Sequence, residues 1–195
     1  MAAIDSADPG GSETNAAFPQ GDEHERLTML SRFGEAAVRL AELGYPVFRV
    51  RPGQKSPLAR GWQAEASADP AAVARLWRRS PRANLGLATG RVCWVVDVDG
   101  ADGRTALARL EACYGPLPPT PTSLTGGGGE HRFFALPPGR TVRNSCRRLG
   151  PGLDTRGVGG FAVLPPSMHP SGRAYAWQPG REPWSVPLAS APMWL

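Results

Sequence analysis

Lysine is almost missing from this 195-residue chain: of 22 basic side chains, all but Lys55 are arginine. Cysteine is also sparse. Cys93, Cys113 and Cys146 are odd in number, widely spaced and never in a CxxC pair, which excludes a zinc ribbon, a redox couple and a disulfide framework. No apolar run approaches the ~20 residues that span a bilayer, and the N-terminus lacks a basic-then-apolar signal pattern. No internal repeat is visible. Membrane, secreted and fibrous classes fall away, and reduced thiols in a cytoplasmic protein are the default expectation.

What is abundant is glycine, with 24 residues, and proline, with 21, so the fold must be rich in turns. An apolar fraction of 41% still suffices for a single core. The net charge of +5 is unevenly distributed. Residues 1–25 hold Asp5, Asp8, Glu13, Asp22, Glu23 and Glu25 with no basic residue, leaving 11 acidic against 22 basic side chains beyond them. We read residues 1–25 as a disordered acidic leader and 26–195 as one basic domain suited to a polyanionic partner.

Apolar residues at three- and four-residue steps predict an amphipathic helix from Arg26 to Leu43, closed by Gly44. Tyr45–Arg51 alternates as a strand. Asp69-Pro70 opens a second helix that Ser80-Pro81 stops. Asn84–Thr89 and Cys93–Val98, separated by Gly90-Arg91, read as adjacent strands. Asp102 is the expected cap of a third helix ending at Gly115-Pro116. Further strands are expected at His131–Leu136, Gly150–Asp154, Phe161–Leu164 and Tyr175–Trp177, giving an α+β domain.

The sharpest motif is Val95-Val96-Asp97-Val98-Asp99-Gly100. Alternation along a strand puts Asp97 and Asp99 on one face, where two carboxylates repel unless a cation lies between them. Oxygen-seeking Mg²⁺ or Mn²⁺ meets that need; an acid-rich, solvated strand end is the plainer alternative. The DxDG string is also similar to the first motif of haloacid-dehalogenase-type phosphatases, but the lysine such enzymes need downstream is missing. Gly126–Gly129 is followed by Glu130-His131 and a strand, so it is neither a P-loop nor a dinucleotide fingerprint. A lone histidine is more often structural than functional, yet His131 directly follows this loop. Arg132, Arg140, Arg143, Arg147, Arg148 and Arg156 form a dense basic stretch fit for phosphates. Asp154, at the expected end of a short apolar strand, is a candidate third metal ligand.

In order, DxD, Gly-x-His and Leu153-Asp154-Thr155-Arg156-Gly157-Val158-Gly159-Gly160 before an apolar strand and Pro165-Pro166-Ser167 resemble the bifunctional DNA primase/polymerase domain of the archaeo-eukaryotic primase superfamily. Leu43–Val47, Gly53–Leu58, Gly61-Trp62 and Asn84–Gly90 fit as well, so the resemblance covers about residues 30–180. It implies a primase-type catalytic core, a mixed sheet like that of the RNA-recognition motif, with an N-terminal α/β unit. It implies Asp97, Asp99 and Asp154 as catalytic metal ligands, and His131 as a contact to the incoming triphosphate with Arg156 as a further phosphate contact. Lys55, Ser167 and His169 fall in family-like segments as accessory candidates without assigned roles.

The implied chemistry is template-dependent nucleotidyl transfer by two metal ions, Mg²⁺ or Mn²⁺. Its substrates would be dNTP or NTP on a single-stranded DNA template or primer-template. Many relatives carry a helicase or helical region beyond the core, so a separate helicase or accessory subunit is an expected partner, and extension is expected over de novo priming. Two other classes share these residues: a non-catalytic nucleotide- or single-strand-binding module, and a metal-dependent nuclease or nucleotidyltransferase with another acceptor.

Overall fold

The computed structural model describes residues 30–195, so the acidic leader lies outside the described residues. Helix α1 spans Arg32–Glu42, where Ser31 caps it by accepting the Gly34 N–H at 3.2 Å; residues 26–29 of the expected helix lie outside the described residues. Strand β1 (Val47–Val50) and a short helix α2 (Trp62–Glu65) lead to α3 (Pro70–Arg79), capped by Asp69 as expected. Strands β2 (Asn84–Ala88) and β3 (Cys93–Val98) follow, then α4 (Gly100–Tyr114), β4 (Thr122–Leu124) and β5 (Glu130–Ala135). The order closes with β6 (Leu153–Arg156), β7 (Phe161–Leu164) and β8 (Ala176–Trp177).

These strands form two sheets, β1-β2-β7 and β6-β3-β5-β4-β8, antiparallel at every pairing of named strands. The α+β expectation holds, but β2 and β3 are not partners. A strand has two edges, and β2 gives both to β1 and β7 while β3 gives both to β5 and β6. The turn at Gly90 therefore carries the chain from one sheet to the other.

Three apolar clusters hold the layers together. Helices α1 and α3 pack through Ala37, Leu40, Val73 and Trp77 onto Val47, Leu85, Leu87, Val95 and Phe133, joining both sheets. Phe48, Trp62, Val163 and Tyr175 form a second cluster. On the far side of the larger sheet, Trp94, Val96, Val98, Phe134 and Leu153 bury against Leu107 of α4.

The N-cap of α4 is Asp99, not Asp102, which sits one turn in. The strand thus runs almost directly into the helix, and the Asp99 side chain makes no capping hydrogen bond. A β-carbon at Gly103 would strike the Gly152 carbonyl, and one at Gly152 would strike the α4 backbone. Only glycines permit this approach, which clamps the start of α4 onto the turn entering β6.

Candidate active site

Register assembles the site. Asp97 on the central strand β3 stands directly across from His131 on β5 and from Asp154 on β6. Residues opposed in this way share a sheet face. Strand β6 begins at Leu153 rather than Gly150, so Asp154 lies within the ladder, not at its end as expected. Asp99 completes the group from the mouth of α4, and ligand oxygens of Asp97, Asp99 and Asp154 lie within 4.8 Å of one another.

Each carboxylate is held differently. Asp97 is buried; its Oδ1 faces His131 Nε2 at 3.5 Å and its Oδ2 accepts from Arg156 Nη2 at 2.9 Å. Asp154 accepts the Arg147 backbone N–H on Oδ1 at 3.0 Å and Arg156 Nη2 on Oδ2, also at 3.0 Å. Burial, then the charges of Asp97 and Asp154, raise the Asp99 carboxyl above its ordinary range; Lys55 and His131 oppose the rise. The cluster thus retains uncompensated negative charge despite Arg156.

Burial drives His131 below the usual histidine range, against the pull of Asp97 and Asp99. The ring is therefore neutral at neutral pH. Burial opposes the charge on Arg156, but its hydrogen bond to Asp97 and the nearby acids win and raise its pKa further. Tyr175 is pushed up to about 12 by burial and by the charges of Asp97 and Asp99.

Asp97 and Asp99 open into a cleft of about 530 Å³ lined also by Lys55, Trp62, Gln63, Thr125, His131 and Arg156, while Asp154 and Asp99 line a neighbouring recess beside Arg147. Lys55 reaches it from the loop between β1 and α2. Gly129 must be small, because a β-carbon there would collide with the Val98 carbonyl oxygen at the end of β3. His169 stands beside the glycine loop against Gly126 and Gly127, its Nδ1 accepting the Ser171 N–H at 3.0 Å. Ser167 is elsewhere: fully buried, it accepts the Leu85 N–H at 2.8 Å and ties its segment to β2. Arg132, one of the expected phosphate contacts, is spent on Glu130 at 2.6 Å and Glu111 at 3.2 Å. Glu130 and Arg132 share a strand face, so that pairing was visible in the alternation. Trp62 stood only in a family-like segment, and nothing in the sequence marked Gln63 or Tyr175 as lining the cleft.

The family model for the N-terminal domain of bifunctional DNA primase/polymerases matches residues 37–194. The chain belongs to that family. A search of the curated proteins returned no match. Membership in the primase/polymerase family brings DNA nucleotidyltransferase activity in general, DNA and nucleotides as substrates, and use of divalent metal. The all-oxygen donor set of Asp97, Asp99 and Asp154 fits a hard divalent cation, and their residual negative charge is what such an ion would neutralise. Among the described residues no helix is long and apolar enough to cross a membrane.

Proposed function

We propose that residues 26–195 form a catalytic domain for template-dependent nucleotidyl transfer, with residues 1–25 as an acidic leader outside it. The observation that carries this reading is the row Asp154–Asp97–His131, with Asp99 beside it, of which Asp97, Asp99 and His131 line a cleft of about 530 Å³. Asp97, Asp99 and Asp154 hold Mg²⁺ or Mn²⁺. When bound there, divalent metal lowers the pKa of a primer 3′-hydroxyl and neutralises charge on the departing pyrophosphate.

The chain's own residues do the rest. His131, neutral and buried, faces Asp97 through Nε2 at 3.5 Å and lines the cleft where the triphosphate would lie. Lys55 and Arg156 line the cleft and balance phosphate charge. Arg140, Arg143, Arg147 and Arg148 are exposed beside β6, and the segment bearing them is tied to that strand by paired Ser145–Thr155 backbone hydrogen bonds of 3.1 Å. They bind the DNA backbone without reading sequence.

The test is incorporation of labelled dNTP or NTP on single-stranded DNA, with Mg²⁺ or Mn²⁺, with and without a primer. Metal-dependent extension of the primer supports the reading, and products without primer add self-sufficient priming. DNA binding with no metal-dependent product replaces it with a non-catalytic binding module. Shortened DNA would instead indicate a nuclease.

A further inference from the structure

Arg156 holds one oxygen each of Asp97 and Asp154, two of the carboxylates that would hold a cation. Of the four oxygens on Asp97 and Asp154, one faces His131 and one accepts the Arg147 N–H. The remaining two, both Oδ2, are held by the same Arg156 nitrogen, at 2.9 and 3.0 Å. Asp99 is the member of the triad that Arg156 does not hold by a hydrogen bond. The guanidinium is not locked in, because 37% of the Arg156 side chain is exposed and it lines the open cleft.

We propose that Arg156 is an exchangeable internal counter-ion: without metal it bridges Asp97 and Asp154, and on loading it yields both oxygens to the cation and turns into the cleft to meet the triphosphate. The inference rests on the metal-site reading above and adds a coupling to it. Like-charged carboxylates on neighbouring strands are held together in the empty protein by a charge belonging to the chain. That same charge is released for phosphate only when metal arrives. Metal and triphosphate therefore assist each other through one side chain, and the assistance is reciprocal. A positioning role in which Arg156 stayed on the acids throughout would give no such coupling.

Two measurements on the full chain decide it. The first titrates Mn²⁺ alone, followed by electron paramagnetic resonance, into the wild-type protein, Arg156→Ala, Arg156→Lys and Asp97→Ala. Removing the competing guanidinium should tighten Mn²⁺ binding on the order of tenfold in Arg156→Ala. Arg156→Lys, cationic but without the fork, should fall between. Mn²⁺ binding that is unchanged or weaker in Arg156→Ala overturns the exchange while leaving the metal site standing. No Mn²⁺ binding by the wild type, or equal binding by Asp97→Ala, overturns the metal site and the exchange together.

The second uses inorganic tripolyphosphate as the probe. Wild type and Arg156→Ala should bind it alike without metal and diverge with Mg²⁺ present, the wild type binding more tightly. An equal deficit with and without Mg²⁺ overturns the exchange. Should Arg156→Ala fail to fold, the Arg156 side-chain Nε–H resonance in the wild type replaces it, assigned by its loss in Arg156→Lys. Mg²⁺ should shift that resonance away from its carboxylate-bound position, and an unmoved signal contradicts the proposal.

Discussion

The two faces of β3 have the same backbone and opposite duties. On one, Trp94, Val96 and Val98 meet Phe134, Leu153 and Leu107 in a wholly apolar cluster. On the other, Cys93 and Val95 pack with Phe133, and then the apolar pattern gives way to Asp97 flanked by His131 and Asp154. The first face gains by burying hydrocarbon, about 25 cal/mol per Å². The second gathers like charges that repel; the apolar first face and the strand ladders fix their register, and Arg156 offsets part of the repulsion. Stability and chemistry are thus divided between alternate residues of one strand.

That division predicts opposite signatures for substitutions on the two faces of the sheet. The largest effect is expected on activity. Asp97→Ala and Asp99→Ala should each lower incorporation by ~10³-fold or more, with circular dichroism unchanged. Asp99, which makes no capping bond and is raised in pKa by burial and then by Asp97 and Asp154, should leave a more heat-stable protein when replaced. A lower melting temperature in Asp99→Ala would break the comparison on the charged face. Across the sheet, Phe134→Ala should cost about 3–5 kcal/mol by chemical denaturation, because the ring is fully buried. At a temperature where the variant is folded, its metal affinity should match the wild type; a shift there would mean the two faces are not separable.

Much of this molecule was legible in the sequence, and what was missed has a common cause. Helices α1 and α3 announce themselves through apolar spacing and through Gly44, Asp69 and Pro70. Strands β3 and β5 do so through apolar runs, and the DxD pair through strand alternation. The partition into two sheets was not legible, since whether β2 pairs with β3 depends on which other strands claim their edges. Nor was it legible that Asp154 lies directly across from Asp97, because a cross-strand register between residues so far apart in sequence has no local signature. The family motifs pointed to Asp154 without that geometry. Arg156 shows the same limit: its position in the motif marked it for phosphate, but its present bonds are to the acids.

Smaller effects sharpen the picture. Replacing Arg140, Arg143, Arg147 and Arg148 together should weaken DNA binding evenly across sequences. For every phosphate left without its arginine, the slope of log K against log salt should fall by about 0.7 on single-stranded DNA. Weaker binding with the slope unchanged would place the DNA elsewhere.

The smallest effect concerns His131, whose pKa burial lowers in the folded protein. Between that lowered value and the ordinary value of 6.5, the unfolded chain binds the proton and the folded one does not. Stability should therefore be intact above the ordinary value and decline as pH falls below it. His131→Gln should flatten that decline in denaturant titrations across the same range; an unchanged decline would assign it to other groups.

The most direct test of the central claim is extension of a primed template in Mn²⁺ by the wild type beside an Asp97→Asn/Asp99→Asn double variant matched for fold. Template-directed extension by the wild type and none by the variant is the predicted result. Equal extension by both, or none by the wild type at any metal concentration, would contradict a carboxylate-centred nucleotidyl transfer site.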